Sequence, residues 1–153
     1  MTINKIVELF RDLANRHEQI HDFAAVQDFN IDADDAPIFP ILVVNPVSAT
    51  LPKGENGYTS HSIVFDLQVI DLTNKDNNNE LDVLSDTMQI LTDVVIEFST
   101  HPDYINDSLD LVSDISFDSL RGVYDSDVDG WKVQLEFEQP SKDSYCNIPI
   151  NSK

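Results

Sequence analysis

Basic residues are scarce in this chain: nine Lys and Arg stand against twenty-eight Asp and Glu, a formal charge of −19 at neutral pH. Such a surface repels phosphate backbones, which disfavours ordinary nucleic-acid binding. Glycine is also scarce, with four in 153 residues. Neither a glycine-rich phosphate loop nor a G-x-S-x-G nucleophile turn can be found. The one cysteine, Cys146, leaves no internal disulfide and fits a chain made in a reducing cytoplasm. Apolar runs of the ~18 residues that a membrane span requires are absent. The N-terminus, MTINKIVELFRDLANRHE, breaks up its apolar residues with charges and lacks the h-region of a secretory signal.

What is present is enough for a core. A hydrophobic content of 41% over 153 residues fits a single domain, residues 1–153, with a short polar C-terminal tail. Strongly acidic chains are sometimes disordered, but periodic apolar segments recur along this one. Ile3, Ile6, Val7, Phe10, Leu13 and Ala14 return at threes and fours, which predicts a helix over 3–17 with Thr2 as its cap. FAAVQDFNI (23–31) is a weak strand pattern, and DADDAP (32–37) is a loop. FPILVVNPVSATL (39–51) is a β-rich apolar run bounded by Pro40, Pro46 and Pro52, so its strand is short, bulged or at an edge. The turn PKGENG (52–57) joins it to HSIVFDLQVIDL (61–72), whose alternation places His61, Ile63, Phe65, Leu67 and Val69 on one face. The two segments read as a long hairpin.

After the polar loop TNKDNNN (73–79), which ends in a helix cap at Asn79, a helix is expected from about 80 to 99. Leu81, Leu84, Met88, Leu91, Val94, Val95 and Phe98 form its apolar arc. Asp82, Asp86, Gln89, Asp93 and Glu97 form the opposite stripe, with no lysine or arginine among them. A solvated face usually mixes both signs, so a stripe of one sign is a candidate interface as well as a consequence of general acidity. His101-Pro102 ends the helix. SLDLVSDISFDSL (108–120) can form a strand, and WKVQLEFEQ (131–139) alternates Trp131, Val133, Leu135 and Phe137 against Lys132, Gln134, Glu136 and Glu138. The order α, β, β, β, α, β, β predicts an α+β fold, a mostly antiparallel sheet with two main helices packed on one face.

Two motifs invite a metal. HEQIH (17–21) matches the H-E-x-x-H of zinc peptidases, in which two imidazoles share a helical face and the glutamate is general base. Here it sits at the end of the first helix between Arg16 and Asp22. No third ligand stands out: His61 is on an apolar strand face and His101 precedes a proline. A zinc metalloprotease through His17 and His21 is therefore only a remote alternative, and coincidence is the preferred reading. DSDVDGWKVQLE (125–136) matches a calcium loop at Asp125, Asp127, Asp129, Gly130 and Glu136. The flanking helices of an EF-hand are missing, and a hairpin turn with Asp-Gly ahead of a strand is preferred. A looser calcium site from the three aspartates stays open. No catalytic residue, metal ligand or cofactor is assigned.

Three segments carry a family resemblance: FPILVVNPVSATLP (39–52), DLTNKDNNNELDVLSDTMQILTDVV (71–95), and GWKVQLEFEQPSKDSYC (130–146) with IP close behind. In this order and spacing the chain resembles the tail-completion proteins of tailed bacteriophages. The nearest likeness is to small acidic terminator-like ring proteins of Bacteroidota phages, the crAss-like group among them. The resemblance implies a structural, non-enzymatic virion subunit of a head–tail connector or tail ring, assembled in the host cytoplasm. The ring would be sixfold or twelvefold and contact portal, adaptor or tail ring proteins. DNA would pass through without specific binding, and acidic walls would keep phosphates from sticking. Asp82, Asp86, Asp93 and Glu97 would then face the channel or a subunit interface. The alternative class is a cytoplasmic acidic binding module or DNA mimic that binds a basic partner.

Overall fold

Thr2 opens the first helix. Its hydroxyl accepts from the Lys5 N–H at 3.2 Å, capping one of the donors that a helix start leaves unpaired. In the computed structural model, which describes residues 2–25, 37–74, 76, 78–102, 110–111, 114–122 and 127–140, this helix is α1 (Ile3–Arg16). It buries Ile6, Val7, Leu9, Phe10, Leu13 and Ala14, while Ile3, in its first turn, is exposed. Residue 17 is already extended, with ψ 122.

β1 (Asp22–Ala25) follows and runs parallel to β2 (Ile41–Thr50), Asp22 opposite Ile41 and Ala25 opposite Val44. The rest of the weak 23–31 strand and most of the 32–37 loop lie outside the described residues. β2 returns as an antiparallel hairpin into β3 (Ser60–Leu72). The turn between them closes with Gly54 and Gly57 exchanging both backbone hydrogen bonds, at 2.8 and 3.2 Å. Gly57 has φ 90, a conformation that costs any side chain bearing a Cβ. The long helix is α2 (Glu80–Thr100), and the remaining strands are β4 (Asp110–Leu111), β5 (Phe117–Arg121) and β6 (Val128–Pro140). β3 pairs with β6 from Ser60 opposite Pro140 to Leu72 opposite Val128. β4 and β5 share the other edge of β6. The class is α+β, with every pairing antiparallel except β1–β2.

Both helices pack on one face of the sheet, against Leu42, Val44, Ile63, Phe65, Leu67, Val69, Val133, Leu135 and Phe137. An aromatic column ties the layers together. The Phe10 and Phe98 rings stack with centroids 4.1 Å apart, Phe98 meets Phe137 at 5.3 Å, and Phe137 meets Phe65 edge-on at 6.2 Å. The other face has a smaller buried cluster of Ile41, Val43, Ile70, Leu120 and Val128.

Several expectations change. Of the alternatives for β2 the bulge is the one found: the strand is ten residues long, with a register shift between Pro46 and Ser48, just beyond the stretch that β1 covers. The 108–120 strand is two strands. Leu111 pairs with Phe137 and Phe117 with Val133, and the described residues between them, 114–116, are outside the ladder. Asp129-Gly130 is not a turn but part of β6, where Gly130 lies opposite Ile70 and Leu120. A Cβ at Gly130 would stand 1.9 Å from the Val69 carbonyl oxygen, so glycine there permits close backbone approach.

The buried arc of α2 is also rotated from the expected one: Val83, Thr87, Ile90, Leu91, Val94, Val95 and Phe98 face the core. Leu84 is half-buried, while Leu81 is 80% and Met88 39% exposed. The cause is Thr87. Its hydroxyl donates to the Val83 carbonyl at 2.6 Å, so a residue that reads as polar presents its methyl to the core.

Candidate functional site

The acidic stripe survives as a surface feature of α2 and divides into two halves. At the C-terminal half, the end of α1 and the residue after it supply partners that α2 lacks. Arg16 reaches Glu97 at 3.4 Å, and His17 Nε2 lies 3.4 Å from Asp93 Oδ2. Gln89 also donates to Asp93, at 2.8 Å. Around these pairs, Leu13, Val94 and Ile96 complete a groove of about 400 Å3 where the two helices meet. The N-terminal half differs. Among the described residues no cation pairs with Asp82 or Asp86, and both are exposed. Glu80 is bound by Arg121 of β5, whose Nε donates at 2.6 Å. One anion adjoins Asp86 from the sheet. Burial pushes the Asp71 carboxyl above its ordinary range; the Leu72 N–H opposes this, the charge of Asp86 adds to it and His21 opposes it.

The anchoring of α2 fixes this orientation. Trp131 Nε1 donates to the Leu84 carbonyl at 2.7 Å, fastening the N-terminal part of the helix to β6. Asn79 begins the helix with its backbone, but its side chain accepts from the Asn74 N–H at 2.7 Å instead of capping α2.

HEQIH does not lie on one helical face. α1 ends at Arg16, so His17 and His21 straddle an extended turn. Both nitrogens of His17 are engaged: Nδ1 accepts from the Gln19 N–H at 3.2 Å, which leaves Nε2 to donate toward Asp93. His21 Nδ1 donates to the Phe39 carbonyl at 2.9 Å, and its backbone N–H donates to Pro40. The motif therefore ties α1 to α2 and to the start of β2. Among the described residues no group of three or more His, Cys, Asp or Glu is placed to hold a metal ion.

The calcium-loop match is split in the same way. Asp125 lies outside the described residues, Glu136 is in mid-strand, and the buried Asp129 carboxylate accepts from the Gly122 N–H at 3.2 Å. Strands on both sides replace the EF-hand helices. Sequence reasoning missed the partners of Asp93 and Glu97, since Arg16 and His17 are about eighty residues away in the chain. Their place in the last turn of an amphipathic helix was the available signal.

No protein-family model matches the chain, and no curated protein is significantly similar to it. Among the described residues no helix is long and apolar enough to cross a membrane.

Proposed function

We propose that the chain is a structural subunit of a virion ring, at the head–tail connector or in the tail, through which DNA passes without being held. The observation that carries this reading is the ordered three-segment resemblance to tail-completion proteins. Those segments fall on β2, on α2 with the turn before it, and on β6. The charge is consistent with a DNA conduit. At −19 per subunit a closed ring would present a wall from which phosphates are repelled. The uncompensated Asp82 and Asp86 are the part of α2 available for that wall. Asp93 and Glu97 already face Arg16 and His17 within the subunit.

Self-repulsion between such subunits is screened by salt and must be outweighed by apolar contacts and neighbouring rings. The isolated chain is then a monomer or small oligomer, and the ring forms in the particle. The test is the copy number in purified phage particles, measured by quantitative mass spectrometry and seen in a particle map. A sixfold or twelvefold ring supports the reading. A particle without the chain overturns it, as does a persistent monomer whose only partner is a basic host protein; the latter would establish the acidic-module alternative.

A further inference from the structure

The outward ridge of α2 carries no charge. Leu81, Ser85, Met88, Thr92, Ile96 and Ser99 follow one another at steps of three and four, the spacing of a helix–helix seam. In a chain that is 24% charged, this neutral line runs nearly the full length of a surface helix. Its large members stand in solvent, Leu81 at 80%, Ile96 at 57% and Met88 at 39% exposure. Two of its three hydroxyls are turned inward: Thr92 donates to the Met88 carbonyl at 2.8 Å, and Ser99 donates to that of Ile96 at 2.7 Å. Those two donors are taken up by the helix itself, so apart from the small Ser85 the ridge presents mainly methyl and methylene groups, large residues alternating with small ones. At its C-terminal end Ile96 lines the groove between the helices, with Asp93 and Glu97 on the rim. Along one flank run Asp82 and Asp86, unpaired among the described residues.

We propose that this ridge is a docking seam for an amphipathic helix of another protein, apolar at the contact positions and carrying Lys or Arg along the flank that faces Asp82 and Asp86. Charge complementarity selects the occupant. Two copies of α2 packed antiparallel about a two-fold axis would bring their acidic flanks together, with no cation on either helix to offset the repulsion. A basic flank is attracted by the same carboxylates, and a long Lys or Arg side chain can lay its methylenes on Ile96 while its charge reaches the rim of the groove. From Leu81 to Ile96 the seam is about 22 Å long. That is less than a standard interface, so the complex is of micromolar strength unless other contacts add to it. The inference rests on α2 alone and is independent of the ring assignment.

The probe is a synthetic helix of about 20 residues with Leu at seam positions and Lys on its flanks, titrated against the full chain by fluorescence anisotropy. Controls are a Glu-flanked twin and a Lys-bearing peptide of the same composition with its apolar order scrambled. The patterned Lys peptide should bind in the micromolar range and shift the methyl resonances of Leu81, Met88 and Ile96. The charge-neutral triple variant Leu81→Ser, Met88→Ser, Ile96→Ser should weaken it about tenfold. Ser85→Arg, which fills a small position, should do the same. Asp82→Asn with Asp86→Asn should weaken it several-fold and flatten its salt dependence. Equal binding of the scrambled or Glu-flanked peptide, or unchanged affinity in both ridge variants, overturns the seam. A dimer of the chain alone that the triple variant abolishes also overturns it, because the occupant is then a second copy.

Discussion

α1 and α2 rest on the same face of one sheet and stack Phe10 on Phe98, yet their outward sides follow different rules. On α1 the exposed charges alternate in sign and pair along the helix: Arg11 with Glu8 at 2.7 Å, Arg16 with Asp12 at 2.9 Å. Each such pair adds a few tenths of a kcal/mol and leaves a surface complete in water. α2 has no cation over its whole length and has apolar residues both toward the core and away from it. A helix that serves only its own core resembles α1. One that is apolar on two sides has a second surface to cover.

The comparison breaks most completely at the ring that the two helices share. Phe98→Ala should cost about 3–5 kcal/mol in urea melts, because it empties the centre of the Phe10, Phe98 and Phe137 column. The two apolar sides of α2 can then be separated by one pair of variants. Leu91→Ala, in the core, should cost about 2–5 kcal/mol, whereas Leu81→Ala, on the ridge, should cost less than about 0.5 kcal/mol. Equal losses at the two positions would mean that the ridge is buried in the free chain. Where the helices meet electrostatically the effect is smaller. A double-mutant cycle on Arg16 and Glu97 should return less than about 1 kcal/mol, falling with added salt, since both side chains are half in solvent.

Asp71 supplies the smallest effect, with the opposite sign. Its folded pKa is raised, chiefly by burial, so the ionised carboxylate lowers stability at neutral pH. That cost is relieved as pH falls through the folded pKa and the native state takes up a proton. Asp71→Asn should therefore stabilise the chain slightly at pH 7, the effect being damped by solvent around this half-exposed group. The gain should vanish in acid, and melts at neutral and acid pH check it. A gain of equal size at both would assign it to something other than this charge.

Period and turn chemistry made most of the fold legible. Alternation in 61–72 and 131–139 identified the two long central strands with the correct residues inward, and PKGENG identified the hairpin turn. Where one residue contradicts its class, the reading failed. Thr87 is polar in type but self-satisfied, and an apolar arc drawn without it turned toward Leu81 and Met88. Gly130 follows an aspartate as a turn glycine does, yet its reason is the Val69 backbone on a strand far away in the chain. The stripe was legible as a pattern of like charges. Its division was not, because Arg16 and His17 are brought to Glu97 and Asp93 only by helix packing.

The pairing of β3 with β6 has a kinetic side. β3 lies in the middle of the sheet, and β6, the last of the described strands, fills its second edge along all thirteen register positions. During synthesis the β2–β3 hairpin and both helices emerge first, while that edge and the apolar face beside it have no neighbour. Closure waits for a contact of high sequence separation, the slowest kind to form. The nascent chain thus passes through a half-built sheet with an open, Val- and Ile-rich border, the stage at which wrong strand pairing competes with correct completion.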